Sequence, residues 1–452
     1  MLENTKGTAA LGVFWVLLLM SSGAVQAQVP DEAPRSVGVS APDSTQPIRA
    51  YRLPSWHWSR WGLQGDGQAD WVESAGTRTA LDLSPTYEGF WESERRTARL
   101  ELTPRVSLAY DESEEREDDS RYSLSVDGDG TYRRYIRESV FVFGWGVGRV
   151  GYQNSRYQSR PNGDEAGRQR ATNIDIQQVR IGAGIGRVRV VTPVVRALRI
   201  RERLHAVESG ASMTDADVQD AARQLARQPG YEAVYDRPDK HFWRDLFSEI
   251  GATDATSPFD AFYVADVLRE PVGVRREGAE IRVGPTGSYE WGLSRRTVDG
   301  QLEEREVDER GTVGGFVEGR WFRNVTLHHQ LGVTAEGVYT HFVDSVGPLD
   351  HRVRGFLTAE WLWVIADRVR LDTELQARLD YQHDPAGNGK FRPFSNSRLQ
   401  SDLRVFIENS LSLTVGGNFQ YRYENPGGAP ASSSVDAGVR FSVDYFLSRS
   451  LE

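Results

Sequence analysis

Charged and polar side chains occupy every second position of Arg368–Gln382. Side chains of a β-strand alternate between its two faces, so this spacing predicts a strand with one charged face. The same alternation recurs along the chain and directs a set of charged residues toward one shared interior: Arg99, Glu101, Arg105, Arg352, Arg354, Glu360, Arg370, Asp372, Glu374, Arg378, Asp380, Arg404, Arg422, Asp436, Arg440 and Asp444. Mixed charges line an aqueous passage and set its selectivity, or they pair into a closed, salt-bridged filling. The residues leave both interpretations open.

Other residues that could take part in catalysis or ligand binding form weaker patterns. The run Gly182-Ala-Gly-Ile-Gly186 departs from the G-x-G-x-x-G spacing of a nucleotide-binding loop, and glycines within a strand permit curvature or close packing. His328 and His341 have opposite parity on one expected strand, so they do not converge on a metal ion. No Gly-x-Ser-x-Gly segment supports a Ser–His–acid hydrolase, which stays a distant third hypothesis. We therefore expect no enzyme active site, metal or cofactor.

The strand Arg368–Gln382 is long and has two distinct faces. Its odd positions are mostly apolar and include Val369, Leu371, Leu375 and Leu379. A strand of a soluble protein usually spans about 5–6 residues. A tilted strand that crosses a bilayer needs about 9–11 residues, apolar toward lipid and polar toward the interior. The length and alternation therefore favour a membrane-spanning strand.

The composition limits the possible classes of protein. The 452 residues carry a net charge of -10, and 26% of them are charged. A mean hydropathy of -0.52 excludes a helical membrane protein, but not a barrel whose strands are only half apolar. The chain has no cysteine, which excludes a disulfide framework and a thiolate metal site. Its acidic balance argues against nucleic-acid binding.

The first residues have the pattern of a secretory signal peptide. Lys6 precedes an apolar core over Leu11–Met20, and Val25 and Ala27 supply the small residues before a cleavage site. The alternative of a short membrane anchor has fewer apolar residues than the ~20 that a spanning helix needs. The expected organisation is a signal peptide 1–27, a Pro/Trp-rich tether 28–75, first barrel strands 76–188, a helical insert 189–269, remaining barrel strands 270–447 and a tail 448–452.

The segment 189–269 changes its apolar period from two to about 3.6, which predicts four short amphipathic helices. Thr214 with Asp217 resembles a capping arrangement, and Pro229-Gly230 is expected to end that helix. Six aromatic residues are candidates for binding a partner protein: Phe242, Trp243, Phe247, Phe259, Phe262 and Tyr263. The alternative is that they pack on each other or cap the barrel mouth.

Twelve strands with alternating faces are expected from residue 97 onward. Counting Thr77–Glu94 together with a further strand in 50–75 would make fourteen. Connections alternate between short ones, such as 366–367, and long ones, such as 295–309. Barrels of the bacterial outer membrane have short periplasmic turns and longer extracellular loops. In this pattern the chain resembles the bacterial outer-membrane β-barrel class, over about 97–188 and 272–447.

The resemblance implies an all-β, antiparallel transmembrane barrel in the outer membrane, inserted by the outer-membrane assembly machinery and surrounded by lipid and lipopolysaccharide. It places the helical insert in the periplasm, because the insert takes the place of a short turn. The chain departs from the class in one respect, since the aromatic pair Tyr445-Phe446 is not terminal. The acidic loop 111–119 could bridge divalent cations to lipopolysaccharide or simply be solvated.

Two functions fit this reading of the sequence. The first is a channel or transport component for small solutes or an exported polymer. The second is a membrane anchor or scaffold whose insert docks a periplasmic partner protein. An insert of about eighty residues favours the second more than a simple porin would, because connections longer than about 12–15 residues tend to be functional.

Overall fold

The computed structural model describes residues 45–445, except 53, 73–75, 113–118, 160–164, 207–212, 252–257, 271, 299–300, 344–349, 367, 385–389, 409–410 and 426–429. The predicted signal peptide, the beginning of the predicted tether and the tail 448–452 lie outside the described residues. No described helix is long and apolar enough to cross a membrane.

In the described part of the chain, fourteen strands form one antiparallel sheet, in which each strand pairs with its neighbours in the sequence. They are β1 Trp56–Val72, β2 Gly76–Glu92, β3 Arg96–Glu112, β4 Asp119–Tyr135, β5 Val140–Ser159, β6 Glu165–Val190, β7 Arg276–Val298, β8 Gln301–Asn324, β9 His329–Val343, β10 His351–Ala366, β11 Val369–Asp384, β12 Lys390–Glu408, β13 Leu411–Glu424 and β14 Ser432–Tyr445. β1 and β14 are the two edges, and the described residues show no ladder between them.

The strand number is fourteen, so the expectation of twelve was wrong and the alternative count is the observed one. The strand β1 lies inside the segment 28–75 that we interpreted as a tether, and glycines such as Gly62 and Gly65 weaken its alternation. The strand β2 crosses Pro85, and its ladder with β3 skips 84–86. Proline has no N–H to donate, which explains this local interruption.

Several strands are longer than expected. The strands β6, β7 and β8 have 26, 23 and 24 residues, well beyond the ~9–11 that cross a bilayer. The long loop expected over 295–309 was wrong, because only 299–300 separate β7 from β8. Ionic contacts between the two strands, such as Arg296 Nε to Glu303 Oε2 at 3.0 Å, help to continue the ladder outside the apolar region.

The register gives the sheet one apolar and one polar face. In β11, Leu375 pairs with Ala359 and Leu399, whereas Glu374 pairs with Glu360 and Gln400. The face of Leu375, here the apolar face, exposes large hydrophobic side chains on most strands: Leu108, Leu124, Ile181, Ile281, Val317, Val333, Leu375, Leu399 and Phe441. The face of Glu374, here the polar face, carries the charged residues Arg370, Asp372, Arg378 and Asp380 of the same strand.

Aromatic residues mark both ends of the apolar face. Tyr339 and Tyr381 lie near one end, and Trp361 lies near the other, where it pairs with Leu331. From Leu331 to Tyr339 the strand advances eight residues (339 minus 331). At ~3.4 Å per residue and a tilt of about 40°, this corresponds to ~21 Å across a membrane, close to the ~25 Å apolar band of outer-membrane barrels.

Helices occupy the connection between β6 and β7, and one more precedes β1. They are α1 Gln46–Ala50, α2 Thr192–Ala206, α3 Asp215–Ala226, α4 Gln228–Val234, α5 Pro238–Glu249, α6 Pro258–Ala265 and a 3₁₀ turn Asp266–Arg269. We refer to Thr192–Arg269 as the helical insert. The capping box of Thr214 and Asp217 is confirmed.

The described residues of the helical insert form five α-helices, whereas four were expected. The helix α3 ends at Ala226, before Pro229-Gly230 as expected, and Pro229-Gly230 itself lies in the first turn of α4. Proline is tolerated there because the first N–H groups of a helix have no intrahelical acceptor. The core of the insert also includes Tyr51 from the N-terminal segment and Leu327 from the turn between β8 and β9. The insert therefore packs at the end of the sheet where the short turns lie, here the turn end; the opposite end is the loop end.

Candidate functional site

The register places all sixteen predicted interior residues on the polar face. Arg99 pairs with Thr131 of β4. Residues paired in this way from strand to strand share one face, and following the pairs through β5–β10 shows that the even positions of β11–β14 lie on the same face as Arg99. Asp444 belongs to it by its pairing with Ser412, although its side chain is outside the described set. Whether these residues line a lumen depends on closure of the sheet, and that remains a prediction.

The most enclosed charges of the polar face were not among the predicted residues. Glu280 is 2% exposed, and its Oε2 accepts a hydrogen bond of 3.0 Å from Arg133 Nη1 of β4. Its Oε1 accepts a hydrogen bond from Arg282 Nη2 and lies 3.9 Å from Arg320 Nη1. Glu318 is 4% exposed, and its Oε1 accepts a hydrogen bond of 2.6 Å from Arg320 Nε. Buried carboxylates persist here because each is surrounded by guanidinium groups.

Two contacts across the polar face show how strongly the sheet curves. Arg180 of β6 makes a two-pronged ion pair with Glu336 of β9, at 3.0 and 2.7 Å, although β7 and β8 lie between them. The rings of Phe143 in β5 and Phe316 in β8 meet edge to face, with centroids 5.9 Å apart. The Arg180 guanidinium also stacks over Phe316 at 4.8 Å. Side chains therefore fill the concave interior between β4 and β9.

Glycines allow the backbones of β6 and β7 to approach each other closely. A Cβ on Gly284 would overlap the carbonyl oxygen of Ile181, and a Cβ on Gly182 would overlap that of Val283. The glycine run Gly182–Gly186 thus serves close packing of β6 against β7, in agreement with the strand interpretation.

Several predicted residues are brought together on β10 and β11. Asp380 is 2% exposed and accepts hydrogen bonds from Arg352 Nε at 2.9 Å and Arg378 Nη2 at 3.0 Å. Arg370 Nε donates to Asp372 Oδ2 at 2.7 Å. Arg352, Arg378 and Asp380 thus form one ionic cluster, and Arg370 and Asp372 form a separate ion pair farther along β11.

Other predicted residues stay apart. Arg99 contacts Glu101 of its own strand at 3.2 Å, and both side chains are exposed. Within the described part of the chain, Arg105, Arg422 and Asp436 make no ion pair. Ion pairs therefore join residues of the polar face over β4–β11, whereas Arg105, Arg422 and Asp436 keep exposed side chains.

The helical insert is fixed to the turn end of the sheet through Arg275. This residue is completely buried, and its guanidinium donates to the carbonyl oxygens of Val272 at 2.9 Å and Leu327 at 3.2 Å. Burial, followed by the charges of Arg199 and Arg370, lowers the pKa of Arg275 to about 10, so it stays charged at neutral pH. A second link joins Arg199 Nη2 to His328 Nδ1 at 3.2 Å.

Comparisons with known proteins show distant similarity at most. No family model and no curated protein match the chain. Solved structures similar to it include the translocator domain of the autotransporter NalP from Neisseria meningitidis (8% identity, 86% of this chain and 88% of that chain, TM-score 0.24). The CymD monoaromatic hydrocarbon channel matches with 8% identity and a TM-score of 0.27, and the match covers 89% of this chain and 91% of that chain. OmpT, an outer membrane protein of Vibrio cholerae, matches with 8% identity and a TM-score of 0.26, and the match covers 87% of this chain and 99% of that chain.

These matches are bacterial outer-membrane β-barrel proteins, the class that the alternation resembles.

The six aromatic residues proposed for partner binding divide into different environments. Phe242 is 1% exposed in the core of the insert, so the expectation that it anchors a partner was wrong. Trp243 and Phe247 are half-buried against the same core. Phe262 is 77% and Tyr263 38% exposed. The side chain of the sixth residue, Phe259, is outside the described set.

Proposed function

We propose that the chain is an integral β-barrel of the bacterial outer membrane, with its apolar face toward lipid and its polar face inward. One observation carries this proposal: fourteen antiparallel strands separate exposed apolar side chains from enclosed ionic clusters. Aromatic residues bound the apolar face at a spacing that suits an outer-membrane bilayer. The signal-like residues 1–27 are consistent with export.

The insert supports an orientation in which the turn end is periplasmic. It replaces a short turn between β6 and β7 and packs against the turn between β8 and β9. Short connections of outer-membrane barrels face the periplasm. Labelling of the insert on the surface of intact cells would refute this orientation.

The interior suits a narrow, charge-lined passage for small polar solutes better than a wide pore. Ion pairs and aromatic rings fill the concave side between β4 and β9. The polar faces near the edges keep exposed charges of both signs, such as Arg60, Arg440 and Asp436. A passage bounded by such charges selects by size and by electrostatics.

Conductance of the full-length protein in planar bilayers tests the passage. We expect a small unit conductance that increases in Arg180→Gln/Glu336→Gln, because this ion pair bridges the interior. The control Arg201→Gln/Asp215→Asn removes an ion pair between α2 and α3 of the helical insert, 2.7 Å between Arg201 Nη1 and Asp215 Oδ1, and should leave the conductance unchanged. Absence of conductance in all three proteins would contradict a passage and favour an anchoring role.

A second candidate function is docking of a periplasmic protein on the insert. The exposed side chains of Phe262 and Tyr263 favour it, since exposed aromatic residues serve as anchors in protein interfaces. A photo-crosslinking amino acid at Phe262 should capture one discrete periplasmic protein, whereas the same group at exposed Glu249 of α5 should not. Equal capture from both positions would contradict a defined docking site.

A further inference from the structure

Arginine side chains face each other on the apolar face at the loop end of β6, β7 and β8. Arg170 pairs directly with Arg295, and Arg295 pairs directly with Arg305. We call these three residues the arginine row. Side chains at directly opposed positions have Cβ atoms about 4.5–5.5 Å apart, and like charges in such positions are destabilising.

The ladders establish that the row belongs to the apolar face. Arg170 also pairs with Asn154, which pairs with Tyr122. Tyr122 in turn pairs with Leu108, and both side chains are exposed on the apolar face. The row therefore lies on the surface that faces lipid in the proposed barrel.

The position of the arginine row along the strands corresponds to the depth of the lipid headgroups in the membrane. Along β7, the apolar face runs from Ile281 through Tyr289 and Trp291 to Leu293, and Arg295 follows two residues later. Tyrosine and tryptophan concentrate at membrane interfaces, and charged residues follow outside them. The guanidinium groups of the row are thus placed at the level of the headgroup phosphates.

Within the described residues, no carboxylate neutralises the row. Neighbouring carboxylates of β8 have other partners: Glu303 contacts Arg296 and Asp308 contacts Arg310, each at 3.0 Å. Three opposed positive charges without an internal partner call for an external anion. Guanidinium groups bind phosphate through paired, charge-assisted hydrogen bonds, which suits this arrangement.

An apolar groove lies beside the row on the same face. It has a volume of about 370 Å³, and Leu81, Leu108, Tyr110 and Tyr122 contribute to its walls. Asn154 closes it on the side of the arginines and accepts a hydrogen bond of 2.8 Å from Arg168 Nε. An apolar groove next to a cationic row matches a molecule with acyl chains and a phosphate group.

We infer that the arginine row and the adjoining groove bind the phosphorylated lipid A part of lipopolysaccharide. The phosphate is held by Arg170, Arg295 and Arg305, and an acyl chain lies along the groove. The inference rests on the proposed membrane barrel and on the assignment of the loop end to the outer leaflet.

The test uses the full-length protein folded in phosphatidylcholine nanodiscs, with lipid A and enzymatically dephosphorylated lipid A as probes. Bound lipid is measured by native mass spectrometry. We expect Arg170→Gln/Arg295→Gln/Arg305→Gln to weaken lipid A binding by about tenfold or more, because it removes all three phosphate donors. Dephosphorylated lipid A should bind both proteins equally weakly.

The matched control is Arg96→Gln/Arg134→Gln/Arg137→Gln. It removes the same charge at the turn end, where Arg96 and Arg134 are also opposed. This control should bind lipid A like the unmodified protein. Unchanged binding in the first triple variant, equal loss in the control, or equal binding of the dephosphorylated lipid would each overturn the inference. A protein that enters nanodiscs but retains no lipid A overturns only this inference, whereas failure to enter them overturns the proposed barrel.

Discussion

Leu375 and Glu374 are adjacent in β11 and face opposite environments. Leu375 is 39% exposed on the apolar face, and Glu374 lies on the polar face beside Gln376. We predict that Leu375→Arg impairs assembly far more than Glu374→Arg, since arginine near the middle of a barrel's lipid face costs about 2–4 kcal/mol. The folded fraction is read from heat-modifiable gel mobility and urea titration in vesicles. Equal losses in both variants would show that the assignment of faces is wrong.

The sequence predicts the face of a residue well where alternation is uninterrupted. All even positions of β11 lie on the polar face, as their spacing indicates. The enclosed residues Glu280 and Glu318 were missed, although Glu280 with Arg282 and Glu318 with Arg320 repeat the same spacing. The enclosure of Glu280 could not be predicted, because it depends on Arg133 of β4, which is 147 residues away in the sequence.

Aromatic residues flanked by apolar residues or glycine are ambiguous at the same scale. Phe141 and Phe143 alternate with Val142 and Gly144, so neither face of this stretch is polar and the pattern does not reveal which face the aromatic residues occupy. The structure places them on the polar face, where Arg133 stacks on Phe141 at 4.8 Å and Arg282 on Phe143 at 5.5 Å. Guanidinium groups stack on aromatic rings, so a polar interior can hold these side chains.

At the scale of elements, the contact between β6 and β7 depends on glycine. We predict that Gly284→Val prevents formation of the folded sheet, because its Cβ would overlap the backbone of Ile181. Gly319→Val is the control, since a Cβ at Gly319 meets no atom within 4 Å and valine favours strands. Refolding yields in detergent measure the difference. A normal yield for Gly284→Val would show that the two strands do not approach this closely.

The ladder between β6 and β7 does not depend on contacts with the helical insert. These strands pair up to Val190 and Arg276 without using the helices. We predict that replacing 195–265 by a short Gly-Ser turn leaves the sheet folded but less stable, because Leu327 and Tyr51 lose apolar contacts. Heat-modifiable mobility and urea titration report the two effects. Loss of the folded sheet would contradict this and assign the insert an indispensable packing role.

Strands and helices differ in how well their limits follow from the sequence. The cap at Thr214 starts α3 as expected, because its hydrogen bonds are local. The extension of β7 and β8 into the expected loop was missed, since pairing with a neighbouring strand, rather than local propensity, keeps those polar residues extended. The helix α4 was missed because proline-glycine is read as a stop, whereas proline also suits a first turn.

At the scale of the whole molecule, the decisive feature is a curved sheet with two chemically different faces. Curvature brings Arg180 to Glu336 across two intervening strands, and a flat sheet could not make that contact. The alternation predicts the two faces, but not the strand number, because β1 and β2 have weak patterns. Closure of a barrel would remove the two exposed edges and satisfy their backbone groups in lipid.

The central claim is that lipid covers one face of this sheet and water the other, and the absence of cysteine makes it directly testable. Single cysteines are introduced at each position of 372–379 in β11, spin-labelled, and measured in vesicles for collision with oxygen and with a water-soluble nickel chelate. The account predicts a period of two, with oxygen favoured at Leu375 and Leu379 and nickel favoured at Glu374 and Arg378. Uniform access of the nickel chelate, or a period near 3.6, would contradict it.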